Sequence, residues 1–246
     1  MKPYDTEQDK KEQVREMFDR IAPRYDLLNH TLSMNIDRIW RRHVVREVRR
    51  AAPRRILDVA TGTGDLAIEM ARRIDGVQVL AVDLSEQMLS VARRKVEARG
   101  LDGRIVLDRG DAEHLTAGDA SVDVATVAFG VRNFGDLEAG LRELFRVVRP
   151  GGRVVILEFS TPRNRIFRVL YEFYSYRILP RIGGMVSHDR QAYAYLTVRA
   201  NKLLSETADQ RIDARGKLRR GKGLCHIIVR AHHQARHLVH FLCSCS

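Results

Sequence analysis

With 246 residues and 44% apolar content, the chain is long enough for one large α/β domain with appendages and can bury a sizeable core. Its formal charge of +12 suits nucleic acid or anionic lipid, although solvated arginine-rich faces account for it equally well. No run nears the roughly 18 consecutive apolar residues of a membrane span, and Met1–Asp5 is too polar for a signal region. The three cysteines (Cys225, Cys243 and Cys245) all lie at the end, which excludes a disulfide framework for the rest and leads us to expect a cytoplasmic protein.

In chain order, residues 6–20 read as a helix with Thr6 as N-cap and Val14, Met17, Phe18 and Ile21 on one face, ended by Ala22-Pro23. A mixed polar and aromatic stretch from Tyr25 to Asp37 follows, then a helix from about Asp37 to Arg50 carrying Trp40, Val44 and Val45. Residues 1–50 therefore read as a helical cap ahead of the first strand. Strands are expected at 55–60, 78–83, 105–108, 122–129 and 153–158, and helices at 65–74, 86–99 and 136–148, with Ser85 capping the second of these. Pro150-Gly151-Gly152 reads as a turn. This alternation predicts a doubly wound, mostly parallel sheet, with ligands beyond the carboxyl ends of the strands. Residues 165–182 read as an amphipathic helix that packs on the domain or meets lipid headgroups or a greasy substrate.

The chemistry centres on Arg55–Asp65, where the apolar run Ile56, Leu57, Val59 breaks into Thr61-Gly62-Thr63-Gly64 ahead of a helix. Glycines there allow a tight turn and close approach of a ligand, and the helix start leaves free amide donors. Asp83, at the end of the next apolar run, suits a ribose diol. The unit is a nucleoside-binding βαβ. On these residues alone a nicotinamide dinucleotide remains open, since Gly62, Gly64 and Ala67 also fit a GxGxxA pattern.

Three separated blocks carry a family resemblance: Tyr25-Asp26-Leu27-Leu28-Asn29 with Leu32-Ser33 and Trp40; Leu57–Asp65; and Arg146–Ser160, containing Arg-Pro-Gly-Gly-Arg. Phe129-Gly130-Val131-Arg132-Asn133 agrees as well. Over about residues 10–196 the chain resembles the menaquinone/ubiquinone C-methyltransferases. Arg149 stands where that family usually has Lys. The resemblance implies a class I S-adenosylmethionine (SAM)-dependent methyltransferase, α/β and Rossmann-like, that methylates a prenylated quinol ring carbon. It also implies SAM as cofactor and divides the chain into a cap (1–50), a SAM-binding core (51–196) and an atypical basic tail (197–246) for which disorder is one expectation. Carried over residue by residue, Gly62, Thr63 and Gly64 line the methionine part of SAM, Asp83 takes the ribose hydroxyls, and Asp111 and Ala112 take the adenine. Arg132 is expected to stabilise the quinol anion, Asn133 to orient the ring and Tyr25 to bond the second oxygen, with Asp26, His30 and His188 as further groups for proton handling. Expected partners are the quinol and a peripheral membrane contact at the inner face, with no nucleic acid. The resemblance fixes neither the oligomeric state nor the choice between the two quinones, and a SAM-binding protein with impaired turnover stays open.

Past Leu196 the resemblance stops. Residues 201–246 hold nine Lys/Arg against three Asp/Glu, and five of the nine histidines. A shifted reading frame or a replaced 3′ end is our reading of this change. The Cys/His order matches no common zinc spacing, so no metal is assigned. The family's last strand pair is expected to be missing or replaced, leaving strand 153–158 open-edged or poorly partnered unless Ile227–Val229 and Leu238-Val239 substitute, with reduced stability.

Overall fold

The computed structural model describes residues 3–4, 7–33, 35–159 and 195 and two tail strands, Leu224–Arg230 and Phe241–Ser244. Thr6, the expected helix 165–182, His188 and most of the tail lie outside the described residues.

Two helices precede the sheet, α1 (Lys10–Leu32) and α2 (Ile36–Arg49). The sheet then alternates with helices: β1 (Arg55–Val59), α3 (Asp65–Arg73), β2 (Gln78–Asp83), α4 (Glu86–Glu97), β3 (Ile105–Arg109), β4 (Val122–Ala128), α5 (Leu137–Val147) and β5 (Val148–Phe159). A single 3-10 turn, Val131–Asn133, follows β4. The first five strands are parallel, as the alternation predicts, and lie in the order β3-β2-β1-β4-β5. Ser85 caps α4, its hydroxyl accepting from the Met88 amide at 3.1 Å.

The two sides of the sheet follow from the two-residue period of its strands. Ile56, Val124 and Val155 point to one face and meet Val44, Val45, Val48 and Leu66 from α2 and α3. Leu57, Val59, Ala125 and Val127 point to the other and meet Leu144 and Val147 of α5. A third cluster joins α1 to α4 through Val14, Met17, Ile21 and Met88.

Two expectations are corrected. Helix α1 does not end at Pro23 but runs through it to Leu32, with Asp9 as N-cap. Pro23 lies on the exposed side, while Ile21 and Ala22 are buried and Tyr25 reaches the ligand edge. Packing of that face outweighs the hydrogen bond that proline removes. Residues 150–152 do not form a free turn but lie within β5, where the pairing with β4 slips between Val122 and Val124. Of the two alternatives for the last strand pair, missing or replaced, the structure shows replacement, and β5 is not an open edge. Strands β6 (Leu224–Arg230) and β7 (Phe241–Ser244) extend the sheet as an antiparallel meander, with seven residues of β6 paired to β5 from Arg153↔Arg230 to Phe159↔Leu224. The first expected substitute, Ile227–Val229, is in β6; the second, Leu238-Val239, lies outside the described residues.

Candidate active site

The carboxyl ends of β1, β2 and β4 open into a crevice of about 730 Å³, counting its mouth. At its floor β1 gives way to the glycine turn. Gly64 has φ +79°, and a Cβ there would lie 3.1 Å from the Ala92 Cβ, so glycine lets α3 and α4 close up behind the turn. The Gly62 amide donates to Asp83 Oδ2 at 2.7 Å and the Ser85 amide to Asp83 Oδ1 at 2.9 Å. Each carboxylate oxygen thus uses one acceptor position on backbone and keeps another for a ligand. Burial pushes the Asp83 carboxyl up to about 6, against the pull of those amides.

Asp111 follows β3 in the same crevice, beside Ala112. Its Oδ1 accepts from the Glu113 amide at 2.9 Å, and its Oδ2 accepts from Lys11 Nζ of α1 at 2.7 Å. Burial raises this carboxyl, but the Lys11 ammonium outweighs it and holds the group below the ordinary aspartate range. Lys11 also pairs with Glu113 at 2.7 Å, and Lys10 donates to the Phe134 carbonyl. Helix α1 therefore lies across the mouth as a latched cover.

The other end of the crevice is lined by Phe129, Gly130, Asn133 and Tyr25. Gly130 is needed because a Cβ there would stand 2.6 Å from the Ala60 Cβ. Phe129 keeps φ +58° without being glycine, and its ring meets Trp40 at 6.0 Å. The side-chain oxygen of Asn133 is buried with no hydrogen-bond partner among the described residues. Tyr25 packs edge-on against Phe18 at 6.0 Å. Burial raises its hydroxyl, offset in part by the positive charge of Arg132 and by a bond with Asn29. Arg132 itself is 6% exposed and does not line the crevice; it is paired with Glu158 of β5. Its positive charge acts on the Tyr25 hydroxyl.

Of the residues expected from sequence, Gly62, Asp83, Asp111, Ala112, Asn133 and Tyr25 meet in this one crevice. Gly64 shapes the turn from behind. Thr63 is not among the residues that line the crevice; its buried hydroxyl donates to Asp26. Asp26 and His30 are there as well, and neither lines the crevice. Lys95 of α4 donates to Asp26 Oδ2 at 2.6 Å, to Thr63 at 3.2 Å and to Asp65. Arg41 reaches Asp65 at 3.1 Å, and His30 lies 2.8 Å from Asp37 and 3.4 Å from Asp65. Asp26, His30 and Asp65 stand close enough together to hold a metal, but Lys95 and Arg41 already neutralise the two carboxylates, so the cluster is an ion-pair network. It ties α1 to the glycine turn.

Sequence reasoning missed Lys11, Lys95 and Asp58. The first two sit on ordinary charged helix faces and give no local signal. Asp58 was legible as a carboxylate inside an apolar strand. It shares a sheet face with Thr126, whose hydroxyl donates to it at 2.6 Å, as does that of Thr61 at 2.6 Å. Burial pushes Asp58 up to about 6.

Comparison with known proteins places these features. The profile of the ubiE/COQ5 methyltransferase family matches residues 6–210, further than the resemblance read from the sequence. A demethylmenaquinone methyltransferase of Bacteroides fragilis is 45% identical over 196 residues, covering 80% of each chain. One of Deinococcus radiodurans is 49% identical over 194 residues, 79% of this chain and 80% of its own. The ubiquinone/menaquinone biosynthesis C-methyltransferase UbiE of Geotalea daltonii is 50% identical over 189 residues, 76% of this chain and 80% of its own. Among solved structures, the cyclase SpnF superposes with a TM-score of 0.61 at 17% identity, covering 90% of this chain and 97% of its own, which speaks for the fold alone.

Proposed function

The chain belongs to the ubiE/COQ5 methyltransferase family and is a methyltransferase, and from that premise we propose that it transfers a methyl group from SAM to a ring carbon of a prenylated quinol, demethylmenaquinol first. The crevice fits SAM by its donor set. Asp83 offers two acceptor oxygens for a ribose diol, Asp111 and Ala112 offer an edge for an adenine, and the Gly62–Gly64 turn admits close approach. When bound, SAM supplies an electrophilic methyl group. The work left to the chain is to bind, orient and exclude water.

A quinol ring carbon becomes nucleophilic when the neighbouring hydroxyl loses its proton. The observation that carries the reading is the buried oxygen of Asn133, unpartnered among the described residues, in the crevice that Tyr25 also lines. It is an acceptor waiting for a hydroxyl donor. The Arg132 charge behind the wall favours the phenolate form of an acceptor there, as it already favours ionisation of Tyr25. Asn133 orients the ring and Tyr25 bonds the second oxygen. Phe129 and Phe134 supply apolar walls for the rest of the acceptor.

Labelled SAM and demethylmenaquinol in detergent test this directly. We expect label in the quinone product. Transfer only to the 2-polyprenyl-6-methoxy-1,4-benzoquinol would shift the acceptor to the ubiquinone series, a step that relatives named for both quinones keep open. SAM binding without transfer to either would make the chain a binding protein.

A further inference from the structure

The outward face of α2 takes no part in the proposed reaction. At 100° per residue, Val44 and Val48 turn to the sheet with Val45 at the margin of that face, while Arg38, Arg42, Arg46 and Arg49 share one outward arc beside it, and all four are exposed. Both acids of the helix are turned in: Asp37 is 4% and Glu47 9% exposed. Among the described residues Arg38, Arg46 and Arg49 enter no ion pair, and Arg42 reaches Glu69 only at 3.8 Å. At the start of the same helix Ile39 is 59% exposed, flanked in sequence by Ile36 at 37% and, near the end of α1, by Leu27 at 63%. These are three of the four large apolar side chains exposed among the described residues.

A row of unneutralised arginines beside exposed aliphatic side chains is the pattern of a helix lying in a lipid headgroup layer. Trp40, next to Ile39, contacts Phe129 of the crevice wall, so the apolar end of this face lies at the ligand edge of the sheet. We propose that α2, through Arg38, Arg42, Arg46 and Arg49 with Leu27, Ile36 and Ile39, rests on an anionic phospholipid surface and brings the crevice to the bilayer that holds the acceptor. The second half of this statement rests on the prenylated-quinol reading; the first half does not. RNA would satisfy the charge, but it has no use for the aliphatic corner, and among the described residues no large aromatic side chain is exposed to stack a base.

The test is sedimentation of the full chain with phosphatidylcholine vesicles and with vesicles that also contain phosphatidylglycerol. We expect the chain to sediment with the anionic vesicles and to be released by salt. Arg38→Gln combined with Arg46→Gln should weaken that binding roughly tenfold. Ile39→Ser should weaken what survives in salt, and melting temperature and SAM binding should not change. Equal binding to both vesicles, or undiminished binding by the double variant, overturns the proposal. So does salt-sensitive capture of a single-stranded RNA by these arginines in the absence of vesicle binding. Methyl transfer to a short-chain, water-dispersed quinol is scored separately. Vesicle binding without transfer rejects the quinol reading alone, and transfer without vesicle binding rejects the membrane face alone.

Discussion

The two ends of the crevice are built by different means. At the nucleoside end, Asp83 is held by the amides of Gly62 and Ser85, all within one βαβ unit. At the acceptor end, Tyr25 comes from α1, Asn133 and Arg132 from the turn after β4, and Glu158 from β5. Backbone positions the first end; side chains from three distant elements position the second. The first should therefore tolerate changes in its surroundings, and the second should fail when any one partner is lost.

The sharpest way to break the comparison is Arg132→Ala. It removes the charge behind the acceptor and leaves Glu158 buried without that partner. We expect turnover to fall about 1,000-fold and stability to drop by about 3–5 kcal/mol, read by single-turnover transfer and by thermal melting. Arg132→Met with Glu158→Met should restore the melting temperature and not the activity. Recovery of both would assign the pair a purely structural role.

At the nucleoside end, Asp83→Asn should weaken SAM binding about 100-fold, since two charge-assisted hydrogen bonds are lost, and should cost about 1–3 kcal/mol of stability, since its NH2 faces one of the two backbone amides that the carboxylate accepts. The same residue sets a pH dependence. Its folded carboxyl stands near 6 against an ordinary 3.8, so protonation favours the folded, ligand-free chain. The stability it confers is complete below the ordinary value and is lost as pH rises through 6. Binding runs the other way, because the ionised carboxylate is the better acceptor for two hydroxyls. SAM affinity should fall below pH 6, and Asp83→Asn should flatten that profile. Calorimetry at a series of pH values checks both.

Lys95 joins the two regimes, since it ties α1 to the glycine turn through Asp26, Thr63 and Asp65. Lys95→Met should weaken SAM binding about tenfold, of the order expected for charge-assisted bonds of one ammonium. Lys95→Arg should rescue most of it. An unchanged affinity would separate the cover from the turn. The smallest effect is expected from Lys11→Gln at the half-exposed latch on Asp111 and Glu113. The loss should stay below about 1 kcal/mol and vanish in high salt.

The five strands and their parallel arrangement, the glycine turn, and the placing of Asp83 and Asp111 at strand ends were legible in the sequence. Each depends on a local period or on a residue at a strand end, and neighbours along the chain carry that information. The site beyond them was not. Lys11 meets Asp111 across 100 positions, Lys95 meets Asp26 across 69, and Arg132 meets Glu158 across 26. Charged residues on helix faces look alike until a partner is brought to them. Pro23 reads locally as a stop, yet α1 continues through it because its buried face has α4 to pack against. Ile227–Val229 was legible as a substitute strand, but only pairing with β5 made it one. Local periodicity determined the elements of this protein and the strand ends that carry Asp83 and Asp111. Long-range packing and charge pairing decided the cover, the acceptor end and the far edge of the sheet, because those interactions exist only once the chain is folded.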